Sequence, residues 1–240
     1  MPTRVVVTDY ADVQYLQAAG DLLRGAKRRS YELLLIGAGQ HILDVGCGPG
    51  LDTVALAHVV GSDGRVVGVD RDLLMLAAAD ARAAAEGVGG WVTHEEADAT
   101  ALRFADGVFD ACRSERVFQH LLEPQQVLGE MVRVLKPGGR VVVVDTDWGT
   151  SQTNTADPQF ERRLMAFAAE QRLRNPYSGR RLYGMLRQAG LLDVTAEPYL
   201  FGITDFGLAM HVQNWGGFAR AAVEAGAVTQ GEVDIYLGGL

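Results

Sequence analysis

Between residues 39 and 146 the chain alternates short apolar runs with longer amphipathic stretches. The apolar runs are His41 to Asp44, Arg65 to Asp70, Trp91 to Glu96, Val108 to Arg113 and Arg140 to Asp145. Each is short, rich in β-branched residues and bounded by glycine or acidic turn signals, which predicts five strands. The stretches between them carry helical periodicity: Leu51 to Val60, Asp72 to Ala85 with its Leu73, Leu74 and Leu76 face, and Pro124 to Leu135 with Val127, Leu128, Met131 and Val134. Gly87 and the group Lys136-Pro137-Gly138-Gly139 are stop signals. Strands that are apolar on both faces and alternate with helices predict an α/β fold, a Rossmann-like, doubly wound and mostly parallel sheet covered on both sides.

The flanks are less regular. Val13, Leu16, Leu22, Leu23 and Ala26 fall at helical intervals and predict one or two helices, an N-terminal lid that closes with the basic group Lys27, Arg28 and Arg29. That group reads as a solvated face near a helix end. Beyond residue 147, Pro158 to Leu173 and Gly179 to Gln188 read as helices, Leu192 to Leu200 as a sixth strand, and Phe206 to Ala225 and Glu232 to Leu237 as further helical pieces. No final antiparallel strand is evident between Phe201 and Leu240. The expectation is a truncated chain or a sheet edge covered by other means, a partner chain such as a homodimer mate included.

Composition narrows the function classes. A length of 240 residues with 48% hydrophobic content suits a single domain over 1–240, divided into helices at 1–38, a ligand-binding core at 39–146 and substrate-side elements at 147–240. A formal net charge of -8 and a pI near 5.1 argue against a nucleic-acid or anionic-membrane surface, so a small molecule is the expected partner. Cys47 and Cys112 have no neighbouring ligand at metal spacing, so no metal is expected and both read as small buried residues. With no signal-peptide core and no apolar run of membrane length, the expected location is the cytoplasm.

Candidate chemistry gathers at the strand ends, where doubly wound sheets bind ligands. Gly46, Gly48 and Gly50 follow the first strand, in a turn that permits close backbone approach. The amides of the helix behind it would face the same ligand. Asp70 ends the second strand, where an acid accepts hydrogen bonds from a ribose diol. Asp98, with small Ala99 beside it, follows the third and suits an adenine edge. Gly48 and Gly50 are two apart, where the dinucleotide fingerprint has three, which disfavours a nicotinamide oxidoreductase.

These pieces, LDVGCGPG at 43–50, GVD at 68–70, EEADAT at 95–100, FDACRSERVFQHL at 109–121 and LKPGG at 135–139, resemble in that order the class I S-adenosylmethionine-dependent methyltransferases. Within them the chain is most similar to small-molecule methyltransferases of the ubiquinone and menaquinone biosynthesis type, many of which tailor bacterial natural products. The resemblance implies S-adenosyl-L-methionine as cofactor and S-adenosyl-L-homocysteine as product. It places Asp44 and the turn Gly46, Cys47 and Gly48 at the methionine portion, Asp70 at the ribose, Arg71 along the adenosine, Asp98 and Ala99 at the adenine, and Ser114 at the aminocarboxylate.

In-line methyl transfer mainly requires positioning, with a base where the acceptor is a hydroxyl, the expected acceptor ahead of carbon or nitrogen. His120 is the candidate base, with packing against the sheet as its alternative role; many relatives carry a histidine pair where this chain has Gln119 and His120. Asp147 is placed to orient His120 or to bind substrate. Tyr15, Trp148, Tyr177 and Trp215, with Phe206 and Met210, offer aromatic and soft surface for an acceptor, or for the core. Arg172, Arg174, Arg180 and Arg181 offer an anion site or a solvated face. His41, His58, His94 and His211 show no acid partner at useful spacing. The competing function is a protein of this fold that binds the cofactor without transferring methyl.

Overall fold

The computed structural model describes residues 23–154, 157–213 and 215–238. Strands β1 (His41–Val45), β2 (Arg65–Asp70), β3 (Val92–Glu96), β4 (Phe109–Glu115) and β5 (Leu135–Val144) form one sheet in the order β3-β2-β1-β4-β5. Every pairing is parallel. Chain order therefore reverses between β1 and β4, and the crevice beyond their carboxyl ends is the place such sheets offer a ligand.

The strand period of two sends successive residues to opposite faces. Leu43, Val45, Val67, Val69 and Cys112 face Phe118 and the apolar side of a helix, α4 (Pro124–Arg133), whose Val127, Leu128 and Met131 are buried. Ile42, Val66 and Ala111 face the other way, against Leu34 of α1 (Arg24–Leu34), Leu56 and Val60 of α2 (Leu51–Val60) and Ala83 of α3 (Leu73–Ala85). Each fully buried leucine or isoleucine there contributes about 1.5–3 kcal/mol relative to exposure. A third cluster joins α5 (Pro158–Arg172), α8 (Trp215–Glu224) and α9 (Gln230–Gly238) around Phe160, Leu164, Trp215, Ala222 and Tyr236. Between these lie α6 (Ser178–Gln188) and α7 (Phe206–Gln213).

Three expectations need correction. The basic group does not end a helix: α1 runs through Lys27, Arg28 and Arg29, and Lys27 is buried rather than solvated. Helices expected before Arg24, and Tyr15 with them, lie outside the described residues. The LKPGG stop signal lies inside β5, because pairing jumps from Phe109–Leu135 to Ala111–Arg140 and leaves residues 136–139 as a bulge. Pro137 needs no amide partner there and Gly138 takes a φ of 81°.

Leu192 to Leu200 is not a sixth strand. Leu192 and Leu200 are 84% and 93% exposed, and the segment lies across α1 instead. Arg29 donates two 2.8 Å hydrogen bonds to Glu197, and Tyr199 packs so closely on Gly25 that a Cβ there would stand 2.1 Å from its hydroxyl. Among the described residues β5 is thus the edge of the sheet, and no final antiparallel strand follows it. The helical pieces expected from Phe206 to Ala225 are α7 and α8. No helix among the described residues is long and apolar enough to cross a membrane.

Candidate functional site

A cavity of about 2850 Å3 opens at the carboxyl ends of the strands. A pocket for one small ligand is usually about 300–1,000 Å3, so this one has room for a nucleoside ligand and a second molecule. Its floor is the turn after β1. Gly46 has a φ of 75°, and a Cβ there would stand 2.2 Å from Val117 Cγ2; no other residue fits. Gly48 has a φ of 50° but faces open space, leaving its backbone accessible from the cavity.

The amides of this turn are engaged within the chain. Gly46 and Cys47 donate to the Val69 carbonyl at 2.7 and 3.0 Å, and Gly48 donates to Asp70 Oδ2 at 2.9 Å. Asp70 Oδ1 accepts from the amides of Arg71 and Asp72. Asp98 is held similarly, its Oδ1 accepting from the amide and hydroxyl of Thr100, which keep its carboxyl below the usual range. Asp70, Arg71, Asp98 and Ala99 all line the cavity. Asp70 and Asp98 therefore present fixed carboxylates, suited to hydroxyl and amine groups, with Arg71 beside them.

Beneath the turn lies a buried ionic network. Arg113 is 0% exposed on β4, and its guanidinium reaches Asp44 Oδ1 at 3.5 Å, Asp52 Oδ2 at 3.1 Å, Ser30 Oγ at 3.0 Å and Glu115 Oε2. Lys27 Nζ from α1 bridges Asp52 and Glu115, each at 2.7 Å, and the Tyr31 hydroxyl donates to Asp52. Burial alone would raise Asp52, but Arg113 and Lys27 hold it down at about 2. Burial pushes Asp44 up to about 7 against the pull of Arg113. Arg116 Nε reaches Glu115 Oε1 at 3.3 Å from the cavity side, so three acids face three bases, and Asp44 Oδ2 accepts no hydrogen bond. Ser114 does not reach the cavity: it is buried inside β4, its hydroxyl donating to the Val45 carbonyl, and Glu115, Arg116 and Val117 form the wall instead.

His120 sits in a single 3-10 turn, Phe118–His120, and its ring opens into the cavity. The protein around it, then the charges of Arg71 and Arg116, lower the imidazole to about 4 although the residue as a whole is exposed, so it is neutral near pH 7. Asp147 does not lie free for it: Arg180 binds the Asp147 carboxylate through Nε at 2.5 Å and Nη2 at 2.9 Å. The acid beside the turn is Asp145, whose Oδ2 accepts the Gln119 amide at 2.8 Å and which burial pushes up to about 6. Trp148 lines the cavity, and Trp215, although buried in the helical cluster, reaches its wall. Tyr177 is outside the lining and packs under the Arg180 guanidinium, 5.1 Å from its ring centroid.

Sequence reasoning missed three features. Arg113 interrupts an apolar strand, and a charge in a buried run must find partners, which was a usable signal. Lys27, Asp52 and Glu115 are too far apart along the chain to be paired by spacing. His94 does have an acid partner: its Nδ1 meets Asp80 at 2.7 Å and its Nε2 meets Thr53 Oγ1 at 2.9 Å. Thr53 also reaches the Gly50 carbonyl at 3.1 Å, so this buried chain braces the glycine turn from behind. Among the described residues no cluster could hold a metal ion.

Comparison with known proteins agrees with this geometry. Residues 43–143 match the family described as a methyltransferase domain. The chain is 33% identical to a demethylmenaquinone methyltransferase of Geobacillus kaustophilus over 72% of this chain and 78% of that protein. It is 34% identical to an uncharacterised 37.1 kDa transposon protein of Streptomyces fradiae over 90% of this chain and 62% of that protein. The chain spans about half to just under two thirds of the length of several curated relatives. In fold it is similar to the YcgJ protein of Bacillus subtilis, with a TM-score of 0.64 at 20% identity over 84% of this chain and 82% of that one.

Proposed function

Because the chain belongs to the class I S-adenosylmethionine-dependent methyltransferases, we propose that it transfers a methyl group to a small molecule bearing an ionisable hydroxyl, with that oxygen as acceptor. The observation that carries the reading is the charge of the site. Its turn amides are engaged internally, and the carboxylates of Asp70 and Asp98 stand fixed at its rim. A nucleoside ligand with net positive charge fits that balance, and the pyrophosphate of a nicotinamide cofactor does not.

The residues present suit such a ligand. The open face of Gly48 and the spare lone pairs of Asp70 and Asp98 would hold its backbone-facing and nucleoside parts, with Asp44 buried beneath the turn. When bound, the cofactor supplies a methyl on a sulfonium that departs as a neutral thioether. The chain's own part is to keep the acceptor oxygen in line with that methyl, at about 3–3.5 Å. Neutral His120 takes the hydroxyl proton, and Trp148 gives the acceptor a flat apolar wall. A carbon acceptor next to the ionised hydroxyl is the second reading, supported by relatives named ubiquinone/menaquinone biosynthesis C-methyltransferase.

The test is incubation with methyl-deuterated S-adenosylmethionine and a panel of phenols and hydroquinones, followed by mass spectrometry. One labelled methyl per S-adenosylhomocysteine formed is the expected result, and fragmentation assigns it to oxygen or carbon. Cofactor binding with no labelled product from any acceptor would favour a protein that binds the cofactor without transfer.

A further inference from the structure

Five hydrogen bonds converge on one residue beside the candidate base. Gln119 is 5% exposed. Its amide donates to Asp145 Oδ2 at 2.8 Å, and its carbonyl accepts from the amides of Arg174 and Asn175 at 3.1 and 2.9 Å. Its side chain donates through Nε2 to the Arg116 carbonyl at 3.0 Å and accepts through Oε1 from the Trp148 indole at 2.7 Å. Asn175 completes the clamp, donating through Nδ2 to the carbonyls of Phe118 and Leu121 at 3.1 and 2.5 Å.

The two side-chain bonds require a carboxamide. One end must donate to a carbonyl while the other accepts from an indole, which a carboxylate or an aliphatic chain cannot do. The carbonyl it holds belongs to Arg116, whose φ of 55° is the left-handed region that a β-carbon disfavours. Gln119 thus ties a strained backbone at the end of β4 to the aromatic wall after β5, and the residue fixed between them is His120.

We propose that Gln119 is a positioning residue that acts through His120, fixing the turn so that the imidazole holds one orientation towards the acceptor beside Trp148. This rests on His120 being the base. Among the described residues, Arg71 after β2 and Arg116 after β4 set the charge around His120, and Asp145, just past β5, holds the Gln119 amide of the same turn. If Gln119 ceases to hold the turn, the ring, already exposed on one side, loses its fixed place beside the cavity wall, Arg71 and Arg116.

The test is an NMR titration of the full chain labelled with 13C-histidine, the His120 signal being assigned by its absence in His120→Ala. Wild type is expected to titrate near about 4. Gln119→Leu, which removes both side-chain bonds, is expected to move the midpoint up towards the ordinary 6.5, and Trp148→Phe, which removes only the indole donor, to move it less in the same direction. S-adenosylhomocysteine binding should be unchanged in both. A wild-type midpoint in folded Gln119→Leu overturns the proposal. Where circular dichroism shows that variant unfolded, a wild-type midpoint in Trp148→Phe overturns it. Failure of the base reading is seen separately, as full turnover by His120→Ala.

Discussion

Replacing Arg113 with methionine is expected to lower stability by about 3–5 kcal/mol at pH 7, the usual consequence of stranding a buried charge. Methionine occupies comparable volume, so the loss measures electrostatics rather than a cavity. In the native chain the guanidinium faces Asp44, Asp52 and Glu115 in a place no water reaches. Without it, Asp44 loses its ion-pair partner, and Lys27 and Arg116 are left to oppose Asp52 and Glu115. The sign of the pH dependence follows. Asp52 has a folded value of about 2, below its ordinary 3.8, so its stabilising contribution is present above 3.8 and lost as pH falls through 2. In Arg113→Met the stranded carboxyls bind protons more readily, so the deficit should shrink between pH 7 and pH 5. Urea unfolding at both pH values measures this; a loss under about 1 kcal/mol, the range of a surface pair, would show that the network does not hold α1 and α2 to β4.

His120→Ala is expected to reduce turnover by about 10²–10⁴, the range for a lost general base, while leaving S-adenosylhomocysteine affinity intact. Affinity should survive because the proposed cofactor side, Asp70 and Asp98, lies at and just beyond the ends of other strands. The pH profile carries a second signature. The protein around it, Arg71 and Arg116 hold the imidazole at about 4, so kcat/KM should fall only as pH drops through about 4 rather than 6.5, and that acid limb should vanish in His120→Ala. Arg116→Gln removes one repelling charge and should move the limb upward. Unchanged turnover in His120→Ala would mean that positioning alone carries the reaction.

What could be read from the sequence, and what could not, divides by range. The strands and helices of the core follow from local periodicity, which depends only on neighbours along the chain, so Arg65 to Asp70 and Leu51 to Val60 stand as expected. Asp70 and Asp98 were legible because a strand end fixes where an acid sits. The ionic network was not, because Lys27, Asp52 and Arg113 meet only after three elements pack. Lys27 resembles a solvated lysine until Asp52 and Glu115 are placed around it. Gln119 looked like a gap in a histidine pair, and its role depends on Trp148, 29 residues away. Leu192 to Leu200 has a strand's composition, but Glu197 and Tyr199 find partners on α1 instead.

The central claim is that the carboxylate rim at the ends of β1, β2 and β3 holds S-adenosylmethionine. Calorimetric titration of wild type and Asp70→Ala with S-adenosylhomocysteine tests it most directly. Wild type should bind at one site, and Asp70→Ala should bind about ten- to a hundred-fold more weakly, since hydrogen bonds to a charged group contribute about 1.5–3 kcal/mol. No binding by folded wild type, or undiminished binding by folded Asp70→Ala, would contradict the account.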